Sequence, residues 1–276
     1  MKALRALLVS TLLFTPLAWA GGIVGAQVSG NELTAMIELP GGVSADIKVE
    51  FENVVGLTPA ALGLSSELVD PLDTSILNRL PDVGAASLPA AFPVRLHIEP
   101  PATGGLSFSG VVEISLHTHN LHYTAGTPLR MFAAHAGGDF RDITHVTASG
   151  SYRAGGSKGD FSEFIILADL RLLADVINTK YNDLGALLQA SSGQMSGATY
   201  ASLQFYLDAS RDAFNAGNLV AAIKDADAFS REVVINSGND IPNVWRSSRD
   251  IENTAGKLRA HAASLRYSLT LASNNL

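Results

Sequence analysis

The sequence predicts an α+β protein, with an N-terminal antiparallel β-sandwich over residues 21–169 and a C-terminal antiparallel helical bundle over residues 170–276. Three observations carry this. A signal peptide occupies residues 1–20, glycine and proline punctuate short alternating runs as far as Asp169, and beyond it apolar residues recur three or four apart.

Lys2 and Arg5 supply the positive start of the export signal, Ala6 to Leu17 its apolar middle, and Ala18-Trp19-Ala20 a small-x-small cleavage site. That apolar stretch is shorter than the roughly 20 residues a membrane span needs, and no second run of its length follows. The expectation is a protein without a membrane anchor, released to the periplasm or secreted. Removing Lys2 and Arg5 from the 19 basic residues leaves 17 against 26 acidic ones, a formal charge of −9. Nucleic-acid binding normally needs a concentrated basic face, so no nucleic-acid partner is expected. The chain has no cysteine, and in an oxidising compartment its stability must come from burial rather than disulfides.

Within the β region, Ala35 to Leu39 and Ala45 to Phe51 place apolar side chains at every second position, and Pro40-Gly41-Gly42 between them suits a turn. Phe92 to Ile98, Leu106 to Leu116, Leu129 to Ala133 and Phe161 to Ala168 repeat the pattern. Between Val55 and Leu88 the alternation fails; Ala60 to Val69 suits a short helix, and the segment is expected to lie as an excursion across the sheet. In the C-terminal region the spacing predicts helices over 170–188, 197–216 and 219–236, with Gly217-Asn218 as a stop. A fourth helix is expected to open at Pro242, with Asp240 as its N-cap, and to run with a break at Gly256 to about Leu271. No Gly/Ser-rich or Pro-rich linker separates the two regions, so they are expected to pack together.

His117, His119 and His122 are the candidate metal ligands. On a strand His117 and His119 share a face, a spacing that zinc sites use, and a solvent-facing pair of histidines explains the same letters. Gly155-Gly156-Ser157-Lys158-Gly159 matches Gly-x-Ser-x-Gly, and it resembles a phosphate loop only in composition. It leads into a strand at Phe161 rather than a helix, so it reads as a hairpin turn, not a nucleophile elbow or phosphate loop. No cofactor is implied. Aromatic residues along the expected helices suit core packing. Trp245, beside Pro242 and Arg246, reads either as a cap on the helical core or as a binding residue on an exposed surface.

Two stretches carry a resemblance. Phe140 to Thr144, Gly150 to Arg153 and Gly159 to Ile166 resemble the closing strands of bacterial immunoglobulin-like or fibronectin-like sandwich domains. Leu203 to Ile241, with Ala-Gly-Asn-Leu between two helical runs and Asp-Ala-Phe beyond, is similar to FIMAH/FIVAR-like helical modules of secreted bacterial proteins. As a whole the chain resembles a family of uncharacterised exported proteobacterial proteins. That resemblance implies no activity and no catalytic residue, and it favours a binding role by analogy.

The expectation is therefore an exported, non-enzymatic binding or interaction protein with an unknown protein or glycan as its partner. Its contact loops would be Ala125 to Pro128, Ala136 to Asp139 and Gly155 to Gly159. The alternatives are a periplasmic metal-dependent hydrolase using His117, His119 and His122, and a structural protein of the envelope.

Overall fold

The computed structural model describes residues 22–135, 137–148 and 151–274; the expected export signal, Ala136 and Gly150 lie outside the described residues. In chain order the strands and helices are β1 (Ile23–Ser29), β2 (Glu32–Leu39), β3 (Val43–Val55), α1 (Pro59–Leu62), β4 (Leu64–Leu68), α2 (Thr74–Leu77), β5 (Ala86–Ser87) and β6 (Val94–Ile98). Next come β7 (Ser107–His122), β8 (Leu129–Ala134), β9 (Arg141–Asp142), β10 (Thr144–Ala148), β11 (Ser151–Lys158) and β12 (Glu163–Asp169). The C-terminal part holds α3 (Leu173–Ala190), α4 (Gly197–Asn215), α5 (Leu219–Asn236), β13 (Val244–Arg246) and α6 (Thr254–Asn274).

Two antiparallel sheets result. One runs β1-β2-β3-β7-β11-β10 with β13 added on β7, and the other runs β4-β6-β12-β8-β9 with β5 added on β12. The β2–β3 hairpin pairs Leu39 with Val43 across Pro40-Gly41-Gly42, and Gly41 and Gly42 take φ of 79° and 75°, which side chains with a Cβ rarely adopt. Alternate residues of the first sheet, such as Leu33, Ile37, Ile47 and Val49, share one core with Leu96, Ile98, Met131, Phe164 and Ile166 of the second.

The second sheet is buried on both faces. Ile165 and Leu167, between the residues above, join Phe132, Phe140, Ile76 and Leu80 in a separate core beneath the 55–88 excursion. This is why β12 reads Phe-Ile-Ile-Leu without alternation. Within the excursion the expected helix over 60–69 ends early, at the left-handed Gly63, and β4 replaces its second half.

In the C-terminal part α4 packs on α5, and both α3 and α5 pack on α6. Ile177, Tyr181, Leu184, Leu207, Phe229, Leu258 and Leu265 form their shared core. The expected fourth helix is corrected. Residues 244–246 form β13, which pairs with Ser107 to Ser109 of β7, and the helix begins only at Thr254. Asp240 is not its cap; it accepts from Ser196 N at 3.0 Å and Ser196 Oγ at 2.8 Å, at the start of α4. Asn253 caps α6 instead: its Oδ1 accepts from Gly256 N at 2.9 Å, while its Nδ2 donates to Gly110 O at 2.6 Å in β7. The cap that starts the helix therefore also ties it to the first sheet.

The expected turn at Gly155 to Gly159 is likewise corrected. Gly155 and Gly156 lie inside β11, opposite Ser115 and Ile114 of β7. A Cβ on Gly155 would sit 2.7 Å from Val146 Cγ1, and one on Gly156 would sit 2.4 Å from Ile143 Cδ1, so these glycines permit close packing rather than a bend. Gly159 meets the backbone of α6, where a Cβ would come within 2.3 Å of Lys257 N. Gly159→Ala is expected to push α6 outward and cost about 1–3 kcal/mol, read as a lower midpoint in urea unfolding; an unchanged midpoint would mean that this approach is loose.

Candidate functional site

Two clefts meet at the link between β11 and β12. The first, of about 770 Å³, is lined by Arg79, Arg95, His97, Glu163, Trp245 and Arg249. The second, of about 410 Å³, lies between the sheet ends and the helices, with Lys158, Lys180, Asp183 and His261 in its walls. His135, Asp160 and Lys257 line both. Both volumes are of the size that holds small ligands, about 300–1,000 Å³.

Asp160 is the junction. Its carboxylate is buried and meets Lys158 Nζ at 3.0 Å, His135 Nε2 at 3.0 Å and Lys257 Nζ at 3.3 Å. Burial by itself would raise its pKa, but Lys158, the His135 hydrogen bond and Lys257 outweigh it and hold the carboxyl far below the usual range. For Lys257 burial works downward, and Asp160 and Glu252 raise it above an ordinary lysine. Glu252, bonded to Lys257 and Gln194, is kept low. These groups stay charged and act as fixed hydrogen-bonding partners.

The floor of the first cleft is a chain of alternating charges. Glu67 of β4 accepts from Arg95 Nε at 2.8 Å and bonds His97 Nε2 at 3.1 Å, both on β6. Arg95 Nη1 continues to Glu163 Oε2 at 3.4 Å. Glu163 is 4% exposed and is also gripped by both terminal nitrogens of Arg79. Arg79 in turn donates from Nε to Gly138 O at 2.6 Å and lies 4.4 Å over the Phe140 ring, which fixes the β8–β9 loop to the mouth of the cleft. At the lip Arg249 takes φ of 57°, unusual for a residue with a side chain.

In the second cleft Lys180 of α3 is buried and spends all three protons, on Asp142 Oδ2 at 2.7 Å, Ser268 Oγ at 2.9 Å and Ser264 O at 3.1 Å. Burial pulls its pKa down, against the opposing pull of Asp142. Burial raises Asp183, with Arg141 opposing. His261 of α6 is pushed down to about 4, chiefly by burial and then by Lys158 and Arg141. Perturbed titratable groups that share a cavity mark a candidate functional site.

A pH dependence follows from His261. Between about 6.5 and 4 the unfolded chain takes up a proton at this position that the folded chain refuses, so stability falls as pH falls across that window. Asp160, held low, adds a loss in the same direction below about 3.9, while Asp183, held high, works the opposite way. The melting temperature is expected to drop from pH 6.5 to 4, and His261→Gln to flatten that drop; an identical profile in the variant would remove His261 as its source.

Of the features singled out from the sequence, Trp245 and two of the expected contact loops, through Gly137 to Asp139 and Ser157 to Gly159, line the clefts, whereas the three histidines and the loop Ala125 to Pro128 lie elsewhere. His117 Nδ1 is 3.3 Å from Asp46 and its Nε2 bonds Ser151 Oγ, so both ring nitrogens are occupied. The His119 ring lies beside it, 5.1 Å away between centroids and tilted by 56°. His122 does not join them, because the pairing of β7 with β11 jumps from Thr118 to His122 at a bulge. Among the described residues no three metal-ligating side chains come together.

Trp245 caps no helical core. It lies in β13, 7% exposed, packed at 5.5 Å on Phe108 and at 4.9 Å edge-on to Phe161 within the core between the sheets, with one side on the first cleft. Asp160, Glu163, Arg79, Arg95, Lys180 and His261 were not singled out by pattern. One signal was available: Lys180 interrupts the apolar stripe Val176, Ile177, Tyr181, Leu184, Leu188 on the face that must be buried.

Among the described residues no helix is long and apolar enough to cross a membrane. No curated protein matches the sequence. A solved structure of CBM51-2 in complex with GlcNAc and INT domains, from Clostridium perfringens ZmpB, aligns at 8% identity with a TM-score of 0.18. The alignment covers 78% of this chain and 54% of that one, so the chain spans about half the length of that structure. The model of a family of unknown function, DUF6689, matches residues 8–273, and the chain therefore belongs to that family.

Proposed function

We propose that this is an exported, non-enzymatic binding protein that seats a small polar ligand in the clefts around Asp160. The observation that carries the reading is the junction itself: one buried carboxylate shared by two lysines and a histidine, with both clefts opening on it. Such a cluster is held in place before any ligand arrives, so little ordering is needed on binding. Asp160 and Glu252 are both kept ionised, which suits accepting hydrogen bonds rather than delivering a proton.

In this reading residues 1–20 direct export to the periplasm or beyond. The two facing sheets are an immunoglobulin- or fibronectin-like sandwich, and α3 to α6 form a bundle of the FIMAH/FIVAR-like kind whose last helix closes the clefts. The test is a thermal-shift screen of the purified protein against sugars, amino acids, peptides and organic acids, repeated with Asp160→Asn. A ligand that raises the melting temperature of the parent and fails to do so in the variant supports the reading. Turnover of the bound compound, or ligands indifferent to Asp160, would overturn it.

A further inference from the structure

We infer that the ligand of the first cleft is a neutral saccharide, an inference that rests on the binding reading above. Its basis is the charge balance of the walls. Arg79 and Arg95 are spent on Glu163, Lys257 on Asp160 and Glu252, and Asp250 on Arg246. His97 is turned to Glu67 behind the wall. The charged side chains outside these pairs, Arg249 and Glu99, are opposite in sign and line the same cleft.

A ligand with net charge of either sign would find one exposed side chain, Arg249 or Glu99, as its counter-charge and the other set against it. Its lost hydration would be poorly replaced, and burying a charge without a matched partner is costly. A neutral molecule rich in hydroxyls meets no such cost. Guanidinium groups carry five N–H donors, ionised carboxylates accept through several lone pairs, and each hydroxyl both donates and accepts. The pairs on the wall leave such capacity free, because a carboxylate holding two cations still has lone pairs to offer.

The remaining wall is apolar. Phe161 and Trp245 line the cleft, and Trp245 is wedged between Phe108 and Phe161 so that it presents a fixed edge. A pyranose ring combines these two demands, with hydroxyls around its rim and C–H groups on its faces. The volume of about 770 Å³ admits more than one such ring. A peptide is the less fitting occupant, because its backbone asks for a free strand edge: β6 and β12 are paired on both sides, and β13, which brings Trp245 to the cleft and is paired on β7 alone, is only three residues long.

The experiment uses the only tryptophan outside the export segment. The chain has two, Trp19 and Trp245, so the full chain carrying Trp19→Phe reports on Trp245 alone. Its emission is titrated with neutral cello-, malto- and xylo-oligosaccharides, with uronic-acid oligosaccharides, and with short peptides, and each titration is repeated by calorimetry. A saturable change with at least one neutral series, weakened tenfold or more by Arg95→Lys, is the expected result. That substitution keeps the charge and removes the planar fork. Glu252→Gln, on the exposed lip, is expected to weaken the same titration without changing the fold, which guards against a misfolded Arg95 variant. Binding of acidic oligosaccharides or peptides but of no neutral series would overturn the saccharide and leave the binding reading standing. Silence from every class in both measurements would overturn both.

Discussion

Glu163→Ala is expected to lower the unfolding free energy by about 3–5 kcal/mol, the scale for removing one partner of a buried ion pair. Glu163 is the first residue of β12 and holds two arginines: Arg79 from the excursion and Arg95 from β6, with side chains 12% and 23% exposed. Without the carboxylate the two guanidinium groups face each other with no anion between them. Arg79 also anchors Gly138 O and covers Phe140, so the β8–β9 loop should loosen with it. Equilibrium urea unfolding reads the loss, and Glu163→Gln, which keeps the shape and one acceptor, should fall between parent and alanine variant. The double variant Arg79→Met/Glu163→Gln should lose less than the two single changes added together, because it removes the stranded charge along with its partner. Strict additivity would mean that the pair does not interact.

Asp142→Ala is expected to have a comparable effect, about 3–5 kcal/mol, by a different route. Lys180 belongs to α3, two of its acceptors to α6 and the third, Asp142, to β9, so a single ammonium joins the helices to the second sheet. Asp142 has a second role, accepting from Thr144 N at 2.9 Å where β10 begins. Once the carboxylate is gone, burial acts on Lys180 with only the weaker pull of Asp169 against it, and its pKa falls further. The sign then follows: below the folded pKa the protein must hold a proton on a buried, unpaired amine. Stability of the variant should rise as pH rises through the alkaline range, more steeply than in the parent. Lys180→Met in the Asp142→Ala background should recover much of the loss by replacing an unpaired charge with an apolar side chain of similar length. A variant as stable as the parent at neutral pH would mean that water reaches Lys180 and the pair is not buried in solution.

Much of the local structure was legible. The alternation in Ala35 to Leu39 and Ala45 to Phe51 around Pro40-Gly41-Gly42 specifies a hairpin, and the structure pairs those strands residue by residue. Helix spacing placed α5 at its observed bounds and α3 and α4 to within a few residues. Composition misled where small residues served packing: Gly155 and Gly156 read as a turn because glycine favours turns, whereas here Ile143 and Val146 occupy the space a Cβ would need. β13 was illegible because three residues are too few to show a period of two, and a nearby proline and arginine suited a helix start equally well.

The candidate site shows the same division more sharply. His117 and His119 attracted notice because they are close in sequence, yet the partners of His117 are Asp46 and Ser151, and among the described residues no three metal-ligating side chains come together. Asp160 has no distinguishing neighbours in sequence beyond Lys158. Its other partners, His135 and Lys257, come from the β8–β9 loop and the first turn of α6. By itself the sequence determined the acidic and cysteine-free composition, the β-then-α order and most element bounds, because each depends on composition or on residues within a few positions of one another. Only the tertiary structure decided that α6 folds back onto the sheets, that Trp245 enters their core, and that a carboxylate, a histidine and two lysines converge between two clefts. Those arrangements depend on pairing between residues up to more than a hundred positions apart, and no local periodicity encodes such pairing.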